Sequence, residues 1–210
     1  MVKCLMLISF IFISCGSKVH NSIDLMDAKF ASNQFIPIRL DGFYYSEHSE
    51  LIDNINLKSI KILLLYKNGY IIDDGLYFGN SKNFCTNYSN NENSIKNSIS
   101  VYKSRLKLLD SIKFSSCKIK ENDIDGKGLF LIENDSIKIQ CYRAEMKNNK
   151  KDSLNEYFLY EFTGYVINNE TFHLIKLKNY NTNTIKKIDL LYKFELDKNV
   201  PNINNQFLNN

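Results

Sequence analysis

The stretch Gly128–Met146, GLFLIENDSIKIQCYRAEM, decides the fold class. Apolar and polar residues alternate on both sides of Asn134-Asp135, and a period of two residues is typical of a β-strand with one buried face. Asn and Asp tolerate the backbone conformations that tight turns need. The stretch therefore predicts a β-hairpin with its turn at Asn134-Asp135.

The same alternation recurs further along the chain. Between Ile185 and Leu196 apolar and charged residues alternate, so one face of the predicted strand is apolar. That face carries Ile188, Leu190, Tyr192, Phe194 and Leu196. Asn68-Gly69 is the strongest two-residue hairpin signal and predicts a turn between Ile60–Tyr66 and Tyr70–Ile72.

Further predictions concern the first half of the chain. Phe35–Tyr45 is predicted as the first strand of the domain, and Ser46–Lys58, which is polar, as a loop. Asp73-Asp74-Gly75 predicts a turn or a bulge. In sum, about eight strands joined mostly by short turns predict a mainly β domain with one main helix. We expect an antiparallel meander that forms a curled sheet, barrel or half-barrel.

The helix is predicted near residues 90–112. Ser89-Asn90-Asn91-Glu92 has the capping-box pattern of a helix start, with Ser first and Glu three residues later. Apolar residues then recur at spacings of four and three, which indicates one apolar stripe. The stripe is formed by Ile95, Ile99, Tyr102, Leu106 and Leu109. We expect it to pack against the sheet.

The N-terminus has the features of a lipoprotein leader. Lys3 precedes an apolar run, Cys4–Ile13, that is too short to span a bilayer and typical of a signal peptide. Phe12-Ile13-Ser14-Cys15 resembles a bacterial lipobox. The resemblance implies cleavage between Ser14 and Cys15 and a lipid on Cys15, which would anchor the chain stably in a membrane. An ordinary secretory leader with a chance Cys is the alternative.

Four parts of the chain follow from these patterns. Residues 1–14 are predicted as a lipoprotein signal peptide, 15–33 as a lipidated tether and 34–198 as the β-rich domain. Residues 199–210 are rich in Asn, lack periodicity and are predicted as a disordered tail. The net charge is +4 and the charges are interspersed, so we expect no nucleic-acid partner.

Three segments carry a family resemblance: Asp41–Tyr45 (DGFYY), Tyr66–Gly69 (YKNG) and Gly128–Ile139 (GLFLIENDSIKI). Together they resemble small uncharacterised bacterial envelope lipoproteins with a β-rich, lipocalin-like domain. The resemblance implies a cell-envelope location, with the domain anchored by lipid and facing the periplasm. It brings no known active site.

The chain has five Cys. Cys4 leaves with the leader and Cys15 is expected to carry the lipid, so Cys85, Cys117 and Cys141 remain, and an odd count leaves at least one free thiol. Cys85 and Cys117 flank the predicted helix, where a disulfide would hold it in place. The alternative is that all three are small buried thiols.

No catalytic or metal-binding motif is found. The sequence lacks a Gly-rich phosphate loop and a nucleophile elbow, and its three His are too far apart for a metal site, so we expect no cofactor, metal or catalytic residue. An enzyme remains an alternative if residues converge in three dimensions. Asp73, Asp74, His173 and the strand tyrosines Tyr44, Tyr45, Tyr77, Tyr157, Tyr160 and Tyr165 are the first candidates.

The function expected from these observations is that of a lipid-anchored envelope lipoprotein with a non-catalytic binding domain. Its partners would be the membrane, through Cys15, and either a small apolar ligand in the barrel mouth or another envelope protein along an exposed sheet edge. Two alternatives stay open: an envelope enzyme, and a structural accessory subunit recognised by a filled barrel and an apolar outer patch.

Overall fold

A computed structural model describes residues 24–52, 54–79, 92–109, 123–145 and 156–209. Ser14, Cys15, Cys85 and Cys117 lie outside these residues, so the predicted leader, lipidation site and disulfide stay predictions. Among the described residues no helix is long and apolar enough to cross a bilayer.

The described strands form a closed antiparallel barrel in chain order, in which β1 also pairs with β8. The strands are β1 (Gly42–Ile52), β2 (Ile55–Leu65), β3 (Tyr70–Phe78), β4 (Lys127–Glu133), β5 (Ser136–Glu145), β6 (Glu156–Asn168), β7 (Thr171–Asn179) and β8 (Thr184–Leu196); the helices are α1 (Ala28–Ser32), α2 (Ile95–Leu108) and a 3-10 helix (Gln206–Asn209). The predicted mainly β meander is confirmed as a closed barrel, with the strand number and order of a lipocalin-like fold. Closure leaves no exposed sheet edge at β1 or β8.

The hairpin predicted from Gly128–Met146 is formed by β4 and β5. Gly128 lies opposite Cys141, and the pairing continues without a shift to Glu133 opposite Ser136. Asn134 and Asp135 both have positive φ, 47° and 64°. A two-residue turn with this geometry matches the twist of the two strands, so the prediction is confirmed.

The prediction of a loop at Ser46–Lys58 is wrong. β1 continues to Ile52 and β2 begins at Ile55, and the two strands pair in register along this whole length. Residues 35–40, by contrast, belong to no strand. Hydrophobic periodicity does not detect a strand whose two faces are both polar, and this end of β1 faces solvent on one side and the barrel mouth on the other.

Alternate residues of the strands build two separate apolar cores. One fills the barrel and includes Tyr44, Leu63, Leu65, Ile71, Phe130, Ile137, Ile139, Phe162, Phe172, Leu174 and Tyr192. The other lies outside the barrel wall, under α1, α2 and the C-terminal segment, and includes Phe43, Ile60, Ile62, Leu64, Tyr70, Ile72, Leu129, Tyr142 and Leu159. Because β2 contributes to the inner core with one face and to the outer core with the other, Ile60–Leu65 is a nearly continuous apolar run.

Helix α2 covers part of this outer core. Its apolar stripe is confirmed, since Tyr102 and Leu106 are buried and Ile95 packs at the margin. The predicted capping box is wrong: the cap is Ser94, whose Oγ accepts a hydrogen bond from the N–H of Asn97 at 3.3 Å. Ser94 has the extended backbone that an N-cap requires, and Glu92 precedes the helix.

The C-terminal segment is ordered over residues 199–209, so its prediction as a disordered tail is wrong. Ile203 and Phe207 are each only 7% exposed, and the ring of Phe207 lies 5.9 Å from that of Tyr70. Asn205 also donates from Nδ2 to the carbonyl of Asn68 at 3.0 Å. Two isolated apolar residues form no periodic pattern, which is why the sequence gives no signal.

The described part of the predicted tether, residues 24–33, also packs on the barrel, where Ala31 is fully buried. The side-chain amide of Gln34, just beyond it, completes the edge of β4. Strands β3 and β4 pair only where Tyr70–Ile72 lies opposite Lys127–Leu129. Beyond that point Ile132 N donates to Gln34 Oε1 and Gln34 Nε2 donates to Phe130 O, both at 2.7 Å. A side chain thus replaces a neighbouring strand.

Candidate functional site

One end of the barrel is closed by packed side chains. The rings of Phe172 and Tyr192 are stacked with centroids 5.0 Å apart, and Tyr44 lies 5.0 Å from Phe172. Ile38, from the segment before β1, is 5% exposed and packs against the same cluster. The barrel therefore has no deep central cavity at this end.

The opposite end opens into a pocket of about 520 Å³. Its apolar surface comes from Gly75, Leu76, Gly126, Ala144 and Leu190, and its polar surface from Ser46, His48, Lys61, Asp73, Asp125 and Arg143. A second concavity of about 490 Å³ lies on the outer surface, between Phe35 and the β4–β5 turn. The first brings charged side chains from three strands together with apolar walls, so it is the candidate binding site.

Three charged side chains from three strands meet at the base of this pocket. Asp73 Oδ2 lies 3.3 Å from Lys61 Nζ and forms a second ion pair with Arg143 Nη2. The exposed fractions of these side chains are 6% for Asp73, 17% for Lys61 and 30% for Arg143. Two cations thus share one nearly buried carboxylate.

A β-bulge sets the orientation of Asp73. Ile62 lies opposite Gly75, whereas the next residue, Leu63, lies opposite Asp73, so Asp74 is the extra residue. Gly75 has a φ of +84°, which favours glycine. Of the two alternatives predicted at Asp73-Asp74-Gly75, a turn or a bulge, the structure has the bulge. Because of it, Leu76 comes opposite Lys61 and lines the same pocket as Asp73.

The guanidinium of Arg143 rests on aromatic rings. Its Cζ lies 4.9 Å from the ring centre of Phe162 and 5.7 Å from that of Tyr160. Burial lowers the pKa of Arg143, but the nearby charge of Asp73 outweighs it and raises the pKa above its ordinary value. Deeper in the barrel, burial raises the pKa of the Cys141 thiol to about 11. Arg143 therefore stays charged, and Cys141 stays a neutral thiol.

Three further polar groups line the pocket, of which Ser46 is buried and His48 and Asp125 are exposed. Ser46 and His48 come from β1, and Asp125 comes from the turn before β4. Asp125 Oδ1 accepts a hydrogen bond from the N–H of Ala144 at 2.8 Å, and the N–H of Asp125 donates to Asp123 Oδ1 at 3.2 Å. This acidic pair thus holds a turn. Within the described residues no group of three or more His, Cys, Asp or Glu side chains could hold a metal ion.

The structure separates Asp73, Asp74 and His173, the first enzymatic candidates besides the tyrosines, although the hydroxyl of Tyr77 donates to Asp74 Oδ2 at 3.4 Å. Asp73 is in the pocket, whereas Asp74 points outward and pairs with Arg105 of α2. His173 lies on the outer wall, where its Nε2 is 2.6 Å from Asp189 Oδ1 and its Nδ1 is 3.0 Å from the hydroxyl of Tyr165. These side chains occupy three separate places. Cys141, the one cysteine in the described part of the chain, is a buried free thiol.

Neither cation of the site was among the residues predicted from the sequence. Lys61 is the single charged residue within the apolar run Ile60–Leu65, and Arg143 continues the inward alternation of Ile137, Ile139 and Cys141. A cation at an inward position of a strand is costly unless it has a partner or a role. A charged residue at an inward strand position was therefore the feature of the sequence that could have indicated the site.

Comparisons with protein-family models, with curated proteins and with solved structures found no match for this chain. The fold and the pocket geometry therefore carry the functional argument.

Proposed function

We propose that the protein is a lipid-anchored lipoprotein of the bacterial cell envelope, whose barrel binds a small ligand without covalent chemistry. The observation that supports ligand binding is the pocket of about 520 Å³ at the open end of the barrel. Its volume falls within the roughly 300–1,000 Å³ of small-molecule sites, and it combines apolar walls with a few convergent polar groups.

The anchor is supported by the lipobox-like sequence that ends at Cys15. Asp24 is the first described residue, and its carbonyl accepts a hydrogen bond from Gln140 Nε2 on the barrel wall at 3.1 Å. The chain between Cys15 and Asp24 spans at most about 30 Å when extended. A lipid on Cys15 would therefore keep the barrel close to the membrane surface.

The anchor is tested by metabolic labelling with a fatty acid in the host. We expect the wild-type protein to incorporate the label and a Cys15→Ala variant to lose both the label and the membrane association. Cys4→Ala is the matched control, because Cys4 would leave with the leader. Labelling of the Cys15→Ala variant would contradict the lipobox interpretation.

Ligand binding is tested by native mass spectrometry of the full mature protein, extracted gently from host membranes. We expect an extra mass that is lost on denaturation. In a Leu76→Trp variant, at the position opposite Lys61, the indole would occupy the pocket and remove the extra mass. Leu191→Trp, on the outer wall, should keep it. A bare protein mass for both wild type and Leu191→Trp would contradict a bound ligand.

A second candidate, an accessory subunit of an envelope complex, is favoured by the outer wall of β6–β8. Tyr165, Ile167, Ile175 and Leu191 are each 39–51% exposed there. A photo-crosslinking residue at Leu191 should capture one discrete envelope protein in cells, whereas one at Lys186, which is exposed on β8, should not. Equal capture at both positions would contradict a specific interface.

A further inference from the structure

We infer that the ligand of the barrel pocket is an amphipathic anion, whose carboxylate or phosphate group contacts Lys61 and Arg143 while its apolar part lies against Leu76 and Leu190. This inference rests on the proposed function and names the ligand class for the same site. Four features of the pocket lead to it: charge, hydrogen-bond capacity, wall composition and the rigidity of its base.

The base of the pocket has one positive charge in excess. Lys61 and Arg143 carry two charges, and Asp73 supplies one opposite charge between them. All three side chains are at least two-thirds shielded from water, and a shielded charge without a counterion is costly. Asp125 also lines the pocket, but it is exposed at the rim, where water screens its charge. An anion above the base would compensate the excess.

The two cations also have hydrogen-bond capacity beyond Asp73. An ammonium group has three N–H donors and a guanidinium has five, whereas Asp73 offers two carboxylate oxygens. Among the described residues no other acidic side chain forms an ion pair with Lys61 or Arg143. The fork of donors on Arg143 suits the planar or tetrahedral oxygens of a carboxylate or a phosphate.

The walls next to this base are apolar. Leu76 is 47% exposed, although it follows a buried stretch of β3, and Leu190 and Ala144 line the same pocket. The ligand therefore needs an apolar part adjacent to its charged group. A fully polar anion such as inorganic phosphate would leave this apolar surface in contact with water.

The base is held in place before any ligand binds. Asp73 fixes both cations at once, and the ring of Phe162 lies beneath both, 4.9 Å from Arg143 Cζ and 5.4 Å from Lys61 Nζ. Preorganised donors lose little side-chain freedom on binding. Asp73 is therefore a positioning residue for the two cations and does not contact the ligand.

The test compares probes that share a six-carbon chain and differ in the head group: hexanoate, hexyl phosphate, hexanol and hexyltrimethylammonium. Binding to the mature lipoprotein in lipid nanodiscs is measured by saturation-transfer NMR, with empty nanodiscs as the blank. We expect at least one anionic probe to bind roughly tenfold more tightly than hexanol, and the cation more weakly still. The ratio of hexanoate to hexyl phosphate affinity distinguishes the two head groups.

Two variants and a change of salt concentration test the contribution of Lys61 and Arg143 to anion binding. Lys61→Met and Arg143→Met should each reduce the preference for anions to about the level of hexanol, because one cation remains paired with Asp73. Lys138→Met removes an exposed lysine of β5 and should leave the preference unchanged. Should a variant fold poorly, high salt in the wild type gives an independent test, since it should weaken binding of the anionic probe and not of hexanol.

The outcomes separate the inference from the proposed function. Equal binding of hexanoate, hexyl phosphate and hexanol would overturn the anionic ligand class and leave the pocket as a binding site. Binding of none of the probes would also overturn it, and the native mass measurement would then decide the proposed function alone. A preference for hexyltrimethylammonium would reverse the assignment and contradict the role of both cations.

Discussion

The carboxylates of Asp73 and Asp74 are neighbours in sequence and lie on opposite sides of the barrel wall. Asp73 points inward, to Lys61 and Arg143, and Asp74 points outward, to Arg105 of α2. Successive side chains of a strand point to opposite faces, so two consecutive residues of β3 make these two contacts. One short segment of β3 therefore supports the pocket on one side and the helix on the other.

The first prediction concerns the ion pair between Asp74 and Arg105, whose side chains are 13% and 9% exposed. Arg105→Met should lower the free energy of unfolding by about 3–5 kcal/mol, because it leaves a buried carboxylate without its cation. The double variant Asp74→Asn/Arg105→Met should lose less than the single one. Lys103 of the same helix forms a more exposed ion pair with Glu195 of β8, so Lys103→Met should lose no more than about 1 kcal/mol.

Urea unfolding at several pH values checks this prediction. Burial raises the pKa of Asp74, against the opposing charge of Arg105, so a native state without Arg105 favours the protonated acid still more. A raised acid pKa makes the native state relatively more stable at low pH and less stable as the pH rises. The deficit of Arg105→Met should therefore shrink on acidification. A deficit independent of pH would contradict this account.

The second prediction compares two glycines with positive φ, Gly69 at +72° and Gly75 at +84°. Alanine at either position should cost about 1–2 kcal/mol for the left-handed backbone. At Gly69 the new Cβ would also lie 2.5 Å from the carbonyl oxygen of Ala31, whereas at Gly75 no atom lies within 4 Å. Gly69→Ala should therefore unfold at a lower denaturant concentration than Gly75→Ala. Equal midpoints would contradict the close packing of α1 on the β2–β3 turn.

The third prediction concerns alkaline pH. Burial raises the pKa of six phenols, five in or next to the barrel strands and one on α2, above the ordinary value of 10: Tyr44, Tyr66, Tyr77, Tyr102, Tyr142 and Tyr192. Because the unfolded chain releases these protons near pH 10 and the native state does not, stability should be unaffected by these groups below pH 10 and fall steeply above it.

Ultraviolet absorbance of tyrosinate, recorded together with circular dichroism, measures this effect. We expect the buried phenols to ionise in one step that coincides with the loss of β structure. In concentrated urea, ionisation should instead centre near the ordinary value. Full ionisation of the tyrosines in a protein that keeps its native dichroism would show that these rings are accessible.

The fourth prediction tests the strand-like role of the Gln34 amide. In Gln34→Leu the N–H of Ile132 loses its acceptor and the carbonyl of Phe130 loses a donor, each worth about 1–3 kcal/mol when buried. Hydrogen exchange should speed up at Ile132 and stay slow at Ile139, in the middle of β5. Asn202→Leu, at an exposed position, is the control for stability. Unchanged protection of Ile132 would mean that Gln34 does not complete the β4 edge.

The fold was predictable where one strand face is apolar. β4, β5 and β8 follow their alternation, and the Asn-Gly and Asn-Asp turns lie where they were predicted. Hydrophobic alternation failed to predict the strands at Ser46–Lys58, since both faces of β1 there meet polar surroundings. It also failed at Ile203 and Phe207, which are buried in the outer core, where Phe207 lies near the rings of Tyr70 and Tyr142 from distant strands. Local patterns carry no information about such contacts.

The candidate site was predictable only in part. Asp73 was singled out as a candidate, but together with Asp74 and His173, which the barrel places elsewhere. Lys61 and Arg143 come from strands β2 and β5, and their meeting at Asp73 depends on the register of the intervening strands and on the bulge. The sequence predicts a turn or a bulge at Asp73-Asp74-Gly75, but it does not predict which residues of β2 and β5 come to lie beside Asp73.

The edge of β4 that Gln34 covers bears on whether the protein associates with other chains. Unprotected strand edges recruit other chains, which leads to aggregation and amyloid-like assembly. By occupying the backbone groups of β4, Gln34 in the segment before β1 should reduce pairing of this edge with other chains. Proteolytic removal of this segment would uncover the backbone groups of Phe130 and Ile132 at the β4 edge, so the truncated barrel would tend to pair with other chains.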